Sequence, residues 1–199
     1  DAIAKNNNAK VVSNFEIVSW FGAKGIEGHP MNHGGKWNFD FGTVKYVNAV
    51  HSSALPDGSN GGNPGGFVIW NEEACFYYAG DTALTMDMKL IPMTCPKLDF
   101  AILPIGDNFT MGPDDALQAV KFLNAKLVIP YHYNTWPPIV QDVDAWAERV
   151  RAETDSQVVV LAAVAGGVCG DEVVTGVPWI SGPGDKVVYV RCAAAGGHL

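Results

Sequence analysis

Residues 99–135 read DFAILPIGDNFTMGPDDALQAVKFLNAKLVIPYHYNT, and the fold turns on how this stretch is parsed. Residues 100–105 form an unbroken apolar run, the pattern of a strand buried on both faces rather than one with a wet side. Pro113 suits a first helical position, and Asp114 and Asp115 fall in the positively polarised first turn that follows. Ala116, Leu117, Val120 and Leu123 recur at helical spacing, so one stripe of this helix faces a core. Residues 127–130 return as a second strand. A strand, a helix and a strand set a β-α-β rhythm. Downstream the rhythm repeats: Asp142 caps a helix that turns Val143, Trp146, Ala147 and Val150 inward, and residues 157–161 supply another strand.

Upstream the punctuation changes. Residues 10–13 read as a short strand, and residues 15–24 as an amphipathic helix with Phe15, Val18 and Phe21 on one face, stopped by Gly25. Residues 36–40 and 43–49, joined by Phe41-Gly42, and residues 66–70 and 74–79, joined by Asn71-Glu72-Glu73, read as antiparallel hairpins. Between them residues 52–65, dense in Ser, Gly, Asn and Pro, form a long surface loop. The expected class is therefore α/β in its layered α+β form: one domain over residues 1–161, then an atypical tail over residues 162–199, packed on that domain, with strand-like runs at 172–175 and 186–190.

Composition narrows the function. In 199 residues only 17% are charged, 48% are hydrophobic and the net charge is -8, which argues against a protein built to hold nucleic-acid phosphates. A small-molecule substrate is the expected partner, with no nucleic acid and no membrane; a homo-oligomer is compatible with the sequence. No apolar run approaches the ~20 residues of a membrane span. Cys75, Cys95, Cys169 and Cys192 lie far apart, without a C-x-x-C pair, so reduced thiols and a cytoplasmic location are expected. The start at Asp1 lacks an initiating Met, as a processed end or the edge of a fragment would.

Three segments place a metal-competent side chain straight after a strand: His51 in Val50-His51-Ser52-Ser53, Asp81 in Gly80-Asp81-Thr82, and His132 in Tyr131-His132-Tyr133-Asn134-Thr135. Imidazole suits zinc or iron, and a carboxylate can bridge two ions. Taken singly, each histidine reads more simply as a hydrogen-bonded structural residue, and Asp81 as a turn residue or as the cap of a helix over residues 83–90. His29 and His33 fall in a Gly- and Pro-rich turn, His33 near the rim of the site. Asp107 and Asn108, between strand and helix, cap, brace or steady the ligands, while Asn134 and Thr135 orient the imidazole or face substrate. Trp37, Phe67, Tyr77 and Trp136 read as core or wall.

The stretches Met31-Asn32-His33-Gly34-Gly35, Val50-His51-Ser52-Ser53, Ala79-Gly80-Asp81-Thr82-Ala83-Leu84, Met88-Lys89-Leu90-Ile91, Leu103-Pro104-Ile105-Gly106-Asp107-Asn108-Phe109-Thr110-Met111-Gly112 and Pro130-Tyr131-His132-Tyr133-Asn134-Thr135 run in an order that resembles the metallo-β-lactamase superfamily, and within it the small metal-dependent hydrolases related to the ascorbate-phosphate lactonase group. The resemblance implies an αββα sandwich, here lacking its first strands, with a metal site at one sheet edge. It carries over His51 as a ligand of one ion, Asp81 as the bridge and His132 as a ligand of the second, with Asp81 and His132 the catalytic pair. The family's H-x-H-x-D-H segment has no counterpart in this sequence. Placing Leu199 before Asp1 would restore only His198 near that point, an arrangement that requires the termini to be close.

What the resemblance implies chemically is metal-assisted hydrolysis. One or two divalent ions, zinc first with manganese or iron as alternatives, lower the pKa of bound water towards ~7 and present hydroxide to an ester, lactone or phosphoester. That expectation requires the imidazoles of His51 and His132 and the carboxylate of Asp81 to share one cleft. The rival from another class is a non-catalytic binding or assembly module on a scaffold that has lost its metal cluster. A thiol enzyme ranks lower, since no Cys has a His beside it in sequence.

Overall fold

The apolar run that anchors the sequence reading becomes strand β7, Phe100–Pro104, with Ala101 and Leu103 wholly buried and Ile102 nearly so in a computed structural model that describes residues 1–161. It lies in the parallel half of a seven-stranded sheet. The strands of that sheet are β3 (Lys36–Phe39), β4 (Gly42–Asn48), β5 (Gly65–Trp70), β6 (Cys75–Tyr78), β7, β8 (Leu127–Tyr131) and β9 (Gln157–Val158), side by side in chain order. β3 to β6 form an antiparallel meander, as the two hairpins predict. β6 to β9 run parallel, so their connections must cross over one face of the sheet.

Residues 79–99 make the first of these three crossings, and two helices make the other two. α4 (Pro113–Leu123) buries Ala116, Leu117, Ala119, Val120 and Leu123, and ends on Asn124, whose left-handed φ of 48° closes its C-terminus. α5 (Val143–Glu153) is capped by Asp142, whose carboxylate accepts the Ala145 N–H at 3.0 Å, and buries Trp146, Ala147 and Val150. The Trp146 indole donates to the Pro113 carbonyl at 3.0 Å, satisfying a buried N–H and joining α5 to the start of α4. β9 pairs only Leu127 and Val128, so Pro130, whose missing N–H would break a ladder, stands beyond the end of that neighbour.

Alternation along the strands separates the two faces. Val68, Tyr77, Ala101, Leu103 and Val128 enter the helix-side core, while Val44, Tyr46, Phe67 and Ile69 point the other way. On that second face Met31 and Val12 meet them from a small parallel sheet of β1 (Val11–Asn14) and β2 (Gly28–Met31). Behind it packs α2 (Phe15–Gly22), capped by Asn14, whose side chain accepts the Ile17 N–H at 2.9 Å. Gly28 is required there, because a Cβ would stand 2.6 Å from Val18 Cγ1 and 2.9 Å from the Val11 carbonyl oxygen. Helix, sheet, sheet, helix: the αββα order is present, preceded by a short α1 (Ala2–Asn6).

Several expectations need correction. Residues 28–31 are strand rather than turn; Pro30 is tolerated because, among the described residues, β2 has a partner on one side only. Phe15 is not on the buried face of α2 but 67% exposed, and Val18 is the helix's one buried residue. Residues 83–90 do not form a helix capped by Asp81; a 3₁₀ turn at Met86–Leu90 leads into α3, Ile91–Thr94. The last strand stops at Val158 instead of reaching residue 161. Trp37 and Trp136 are exposed, not core, whereas Tyr77 is buried as expected. The strand-like runs at 172–175 and 186–190, the tail's packing, His198 and the proximity of the termini fall outside the described residues.

Candidate functional site

The topology sends four chain segments to one edge. β6, β7 and β8 are parallel, so Asp81, Asp107 and His132 all follow strand ends on the same side of the sheet. β4 is antiparallel to β5, which is antiparallel to β6, so His51, just after β4, belongs to that edge as well. Carboxyl ends of parallel strands are where ligands collect in open sheets, because the connecting loops there are free to vary.

Hydrogen bonds fix the loops to one another. Buried Thr82 accepts the Val50 N–H on its hydroxyl at 2.9 Å, and its own carbonyl accepts the Met111 N–H at 2.9 Å. It thereby ties both the His51 loop and the 107–111 loop to Asp81. Gly106 Cα touches the His132 loop so closely that a Cβ would overlap the His132 carbonyl oxygen and lie 3.1 Å from its Nδ1. The Gln141 amide donates to the Gly106 carbonyl at 3.0 Å, and its backbone N–H to the Asn134 side-chain oxygen at 2.8 Å. Asp107, Asn108, His132 and Asn134 all hold positive φ, between 51° and 62°, which four non-glycine residues adopt in two adjoining loops only when their surroundings impose it.

These constraints bring Asp81 and His132 together: Asp81 Oδ2 stands 3.6 Å from His132 Nε2, with both side chains partly exposed. That is too long for a hydrogen bond. Two ligands each ~2.1 Å from one ion, disposed roughly tetrahedrally, stand about 3.4 Å apart, so the gap fits a carboxylate and an imidazole sharing a cation. His132 Nδ1 is buried with no hydrogen-bond partner among the described residues, so the ring is aimed by packing alone. His51 is on the adjoining loop, its Nδ1 2.9 Å from the Ser52 carbonyl. A carbonyl only accepts, so Nδ1 is the donor in this contact, which leaves Nε2 unused by it. Among the described residues no group of three or more His, Cys, Asp or Glu side chains is arranged to hold a metal, so His51 does not complete a cluster with the other two.

The remaining candidates divide. Asp107 accepts the Asn108 N–H at 2.8 Å and lies against Gly112 at the start of α4, where a carboxylate complements the helix dipole. Asn134 is occupied by Gln141, and Thr135 is exposed beside it. His33 is engaged with other partners: its Nε2 lies 2.9 Å from the Pro64 carbonyl and its ring stacks on Tyr46, so it steadies the end of the 52–65 loop. His29 packs between Trp37 and Phe39. Sequence reasoning missed Thr82, Gly106 and Gln141 as the residues that hold the edge together. Thr82 lay inside the quoted Gly80-Asp81-Thr82 motif, whereas nothing local marks Gln141. Two open hollows of about 430 and 510 Å³ lie elsewhere and include neither Asp81 nor His132.

A four-layer αββα architecture with a carboxylate–imidazole pair at the carboxyl edge of its parallel strands defines the metallo-β-lactamase fold class. The chain belongs to the β-lactamase superfamily domain family, whose model matches residues 3–133. It is 62% identical over 136 residues to a UPF0173 metal-dependent hydrolase of Christiangramia forsetii, an alignment covering 68% of this chain and 60% of that protein. The chain thus spans about 60% of the length of that curated relative. Among solved structures it is similar to Igni18, a metallo hydrolase from Ignicoccus hospitalis, with a TM-score of 0.73 and 33% identity over 80% of this chain and 68% of the other. The metallo-β-lactamase fold protein YhfI of Bacillus subtilis shares the fold, with a TM-score of 0.58 and 12% identity over 77% and 62% of the two chains.

Proposed function

We infer that this chain carries part of the active centre of a metal-dependent hydrolase that cleaves an ester, lactone or phosphoester of a small molecule. The observation that carries this reading is the 3.6 Å approach of Asp81 Oδ2 to His132 Nε2 at the strand edge. Asp81 and His132 would hold a divalent ion, and mixed oxygen and nitrogen donors favour zinc, with manganese or iron as alternatives. His51, whose Nε2 takes no part in the Ser52 contact, is the further candidate donor, on an adjoining loop. Such an ion, when bound, supplies hydroxide near neutral pH and polarises the bond to be cleaved.

The chain's own residues position that chemistry. Gly106 and Gln141 set the His132 ring, Thr82 sets the Asp81 loop, and Asp107 braces the turn into α4. Two protein donors are fewer than the three or four of known zinc centres. Further donors are proposed to come from the length by which the relatives exceed this chain. The free thiols of Cys75 and Cys95 support a reducing, cytoplasmic setting.

Isothermal titration of the chain with zinc tests the assignment. Asp81→Ala and His132→Ala are each expected to weaken binding at least tenfold; sub-micromolar binding indifferent to Asp81→Ala would overturn it. The second reading, a non-catalytic module on this scaffold, draws on the missing third donor. It predicts purified chain free of metal and no zinc binding that depends on Asp81.

A further inference from the structure

We propose that Phe109 and Trp136, stacked across the loops that follow β7 and β8, form an aromatic wall that selects substrates carrying a planar, apolar group next to the hydrolysed bond, an inference resting on the hydrolase reading above. The two rings stack with centroids 5.4 Å apart and planes 18° from parallel. Stacked rings cover one face each, yet Phe109 remains 48% and Trp136 47% exposed, so their outer faces stay open to solvent.

Their placement ties them to the site. Trp136 follows His132 by four residues, which keeps it within roughly 14 Å of chain reach. Phe109 sits in the loop between Asp107 and Met111, whose backbone is bonded to Thr82 next to Asp81. Gln141 joins the two loops by donating to Gly106 on one and to Asn134 on the other. The wall is therefore fixed relative to the donor pair before any ligand arrives, and little ordering cost remains to be met on binding. Val50, 53% exposed and bonded to Thr82 through its N–H, continues the apolar rim on the side of His51. A few convergent polar groups framed by apolar and aromatic side chains is the usual chemistry of a small-molecule site.

The area decides between a small ligand and a protein partner. Two half-exposed aromatic side chains offer about 200 Å², whereas a stable protein interface needs about 800 Å² on each side. One planar ring matches the smaller figure. Stacking, unlike simple burial, depends on a ring quadrupole, so an aryl group should be preferred over a saturated group of the same size.

Phenylphosphonate and cyclohexylphosphonate separate these effects, because both carry the same uncleavable anionic head and differ only in the flatness of the ring. Binding of each to the full zinc-supplemented chain is measured by isothermal titration. Wild-type chain should favour phenylphosphonate about tenfold, and Trp136→Ala and Phe109→Ala should each cut that ratio to near one while leaving the melting temperature unchanged. Asp81→Ala should weaken both ligands alike and keep the ratio. A wild-type ratio near one, or a ratio that survives Trp136→Ala, overturns the aromatic wall without touching the hydrolase reading; binding indifferent to Asp81→Ala overturns the metal assignment instead. A dimer that dissociates on Trp136→Ala would assign the wall to a second copy and also overturn the proposal.

Discussion

At the scale of single residues the site depends on a side chain that is absent. Gly106 is the point where the loop after β7 meets the loop after β8, and a Cβ there overlaps the His132 carbonyl and crowds Ile139 Cβ at 3.1 Å. The neighbours are backbone and a buried isoleucine, neither able to swing aside. Gly106→Ala is therefore expected to cost about 1–3 kcal/mol of stability, as overpacking does, and to lower zinc affinity at least tenfold by moving the His132 ring. Urea unfolding and titration calorimetry check the two halves separately; an unchanged midpoint would show that the loops part freely. His51, Asp81 and His132 were legible one by one as metal-competent residues after strands. Which two would meet was not, because His132 adopts a φ of 56° in a loop that lies directly against Gly106, a contact remote in sequence.

At the scale of elements, caps and registers carry testable weight. Asp142 accepts the Ala145 N–H at the start of α5, and Asp142→Ala should destabilise the chain by about 1 kcal/mol, with a lower melting temperature as the readout. Asp99 locks the start of β7 to β6, its carboxylate accepting the Cys75 N–H at 2.9 Å while its own N–H donates back to the Cys75 carbonyl. Burial alone would push the Asp99 carboxyl up, but hydrogen bonds from Lys126 and from the Cys75 N–H outweigh it and hold the carboxyl below its usual value of 3.8. Because the folded value is the depressed one, Asp99 contributes stability above pH ~4 that is lost as pH falls through its folded value. Asp99→Asn should flatten the dependence of the urea midpoint on pH below ~4; a slope identical to wild type would remove Asp99 from acid denaturation. The elements themselves were largely readable, since apolar runs and helical stripes are local signals. Strand β2 was not, because Gly28-His29-Pro30-Met31 carries turn residues and becomes a strand only through its pairing with β1.

At the scale of the whole molecule, a ligand held between loops of different strands must stabilise the fold that assembles them. Zinc should raise the melting temperature in a concentration-dependent way, by about 2.7 kcal/mol of stability at a hundredfold excess over Kd, and Asp81→Ala should abolish the shift. A shift of equal size in Asp81→Ala would place the ion elsewhere. The net charge is -8, and among the described residues no helix is long and apolar enough to cross a membrane. By itself the sequence determined most of the strands and helices, the β-α-β-α-β rhythm after residue 99 and the emergence of His51, Asp81 and His132 straight after strands, because hydrophobic period and turn punctuation act along the chain. Only the tertiary structure decided that Asp81 faces His132, that His51 turns to Ser52, and that Phe109 meets Trp136 in the open, because the direction of a loop side chain is set by contacts with residues remote in sequence, to which no local pattern refers.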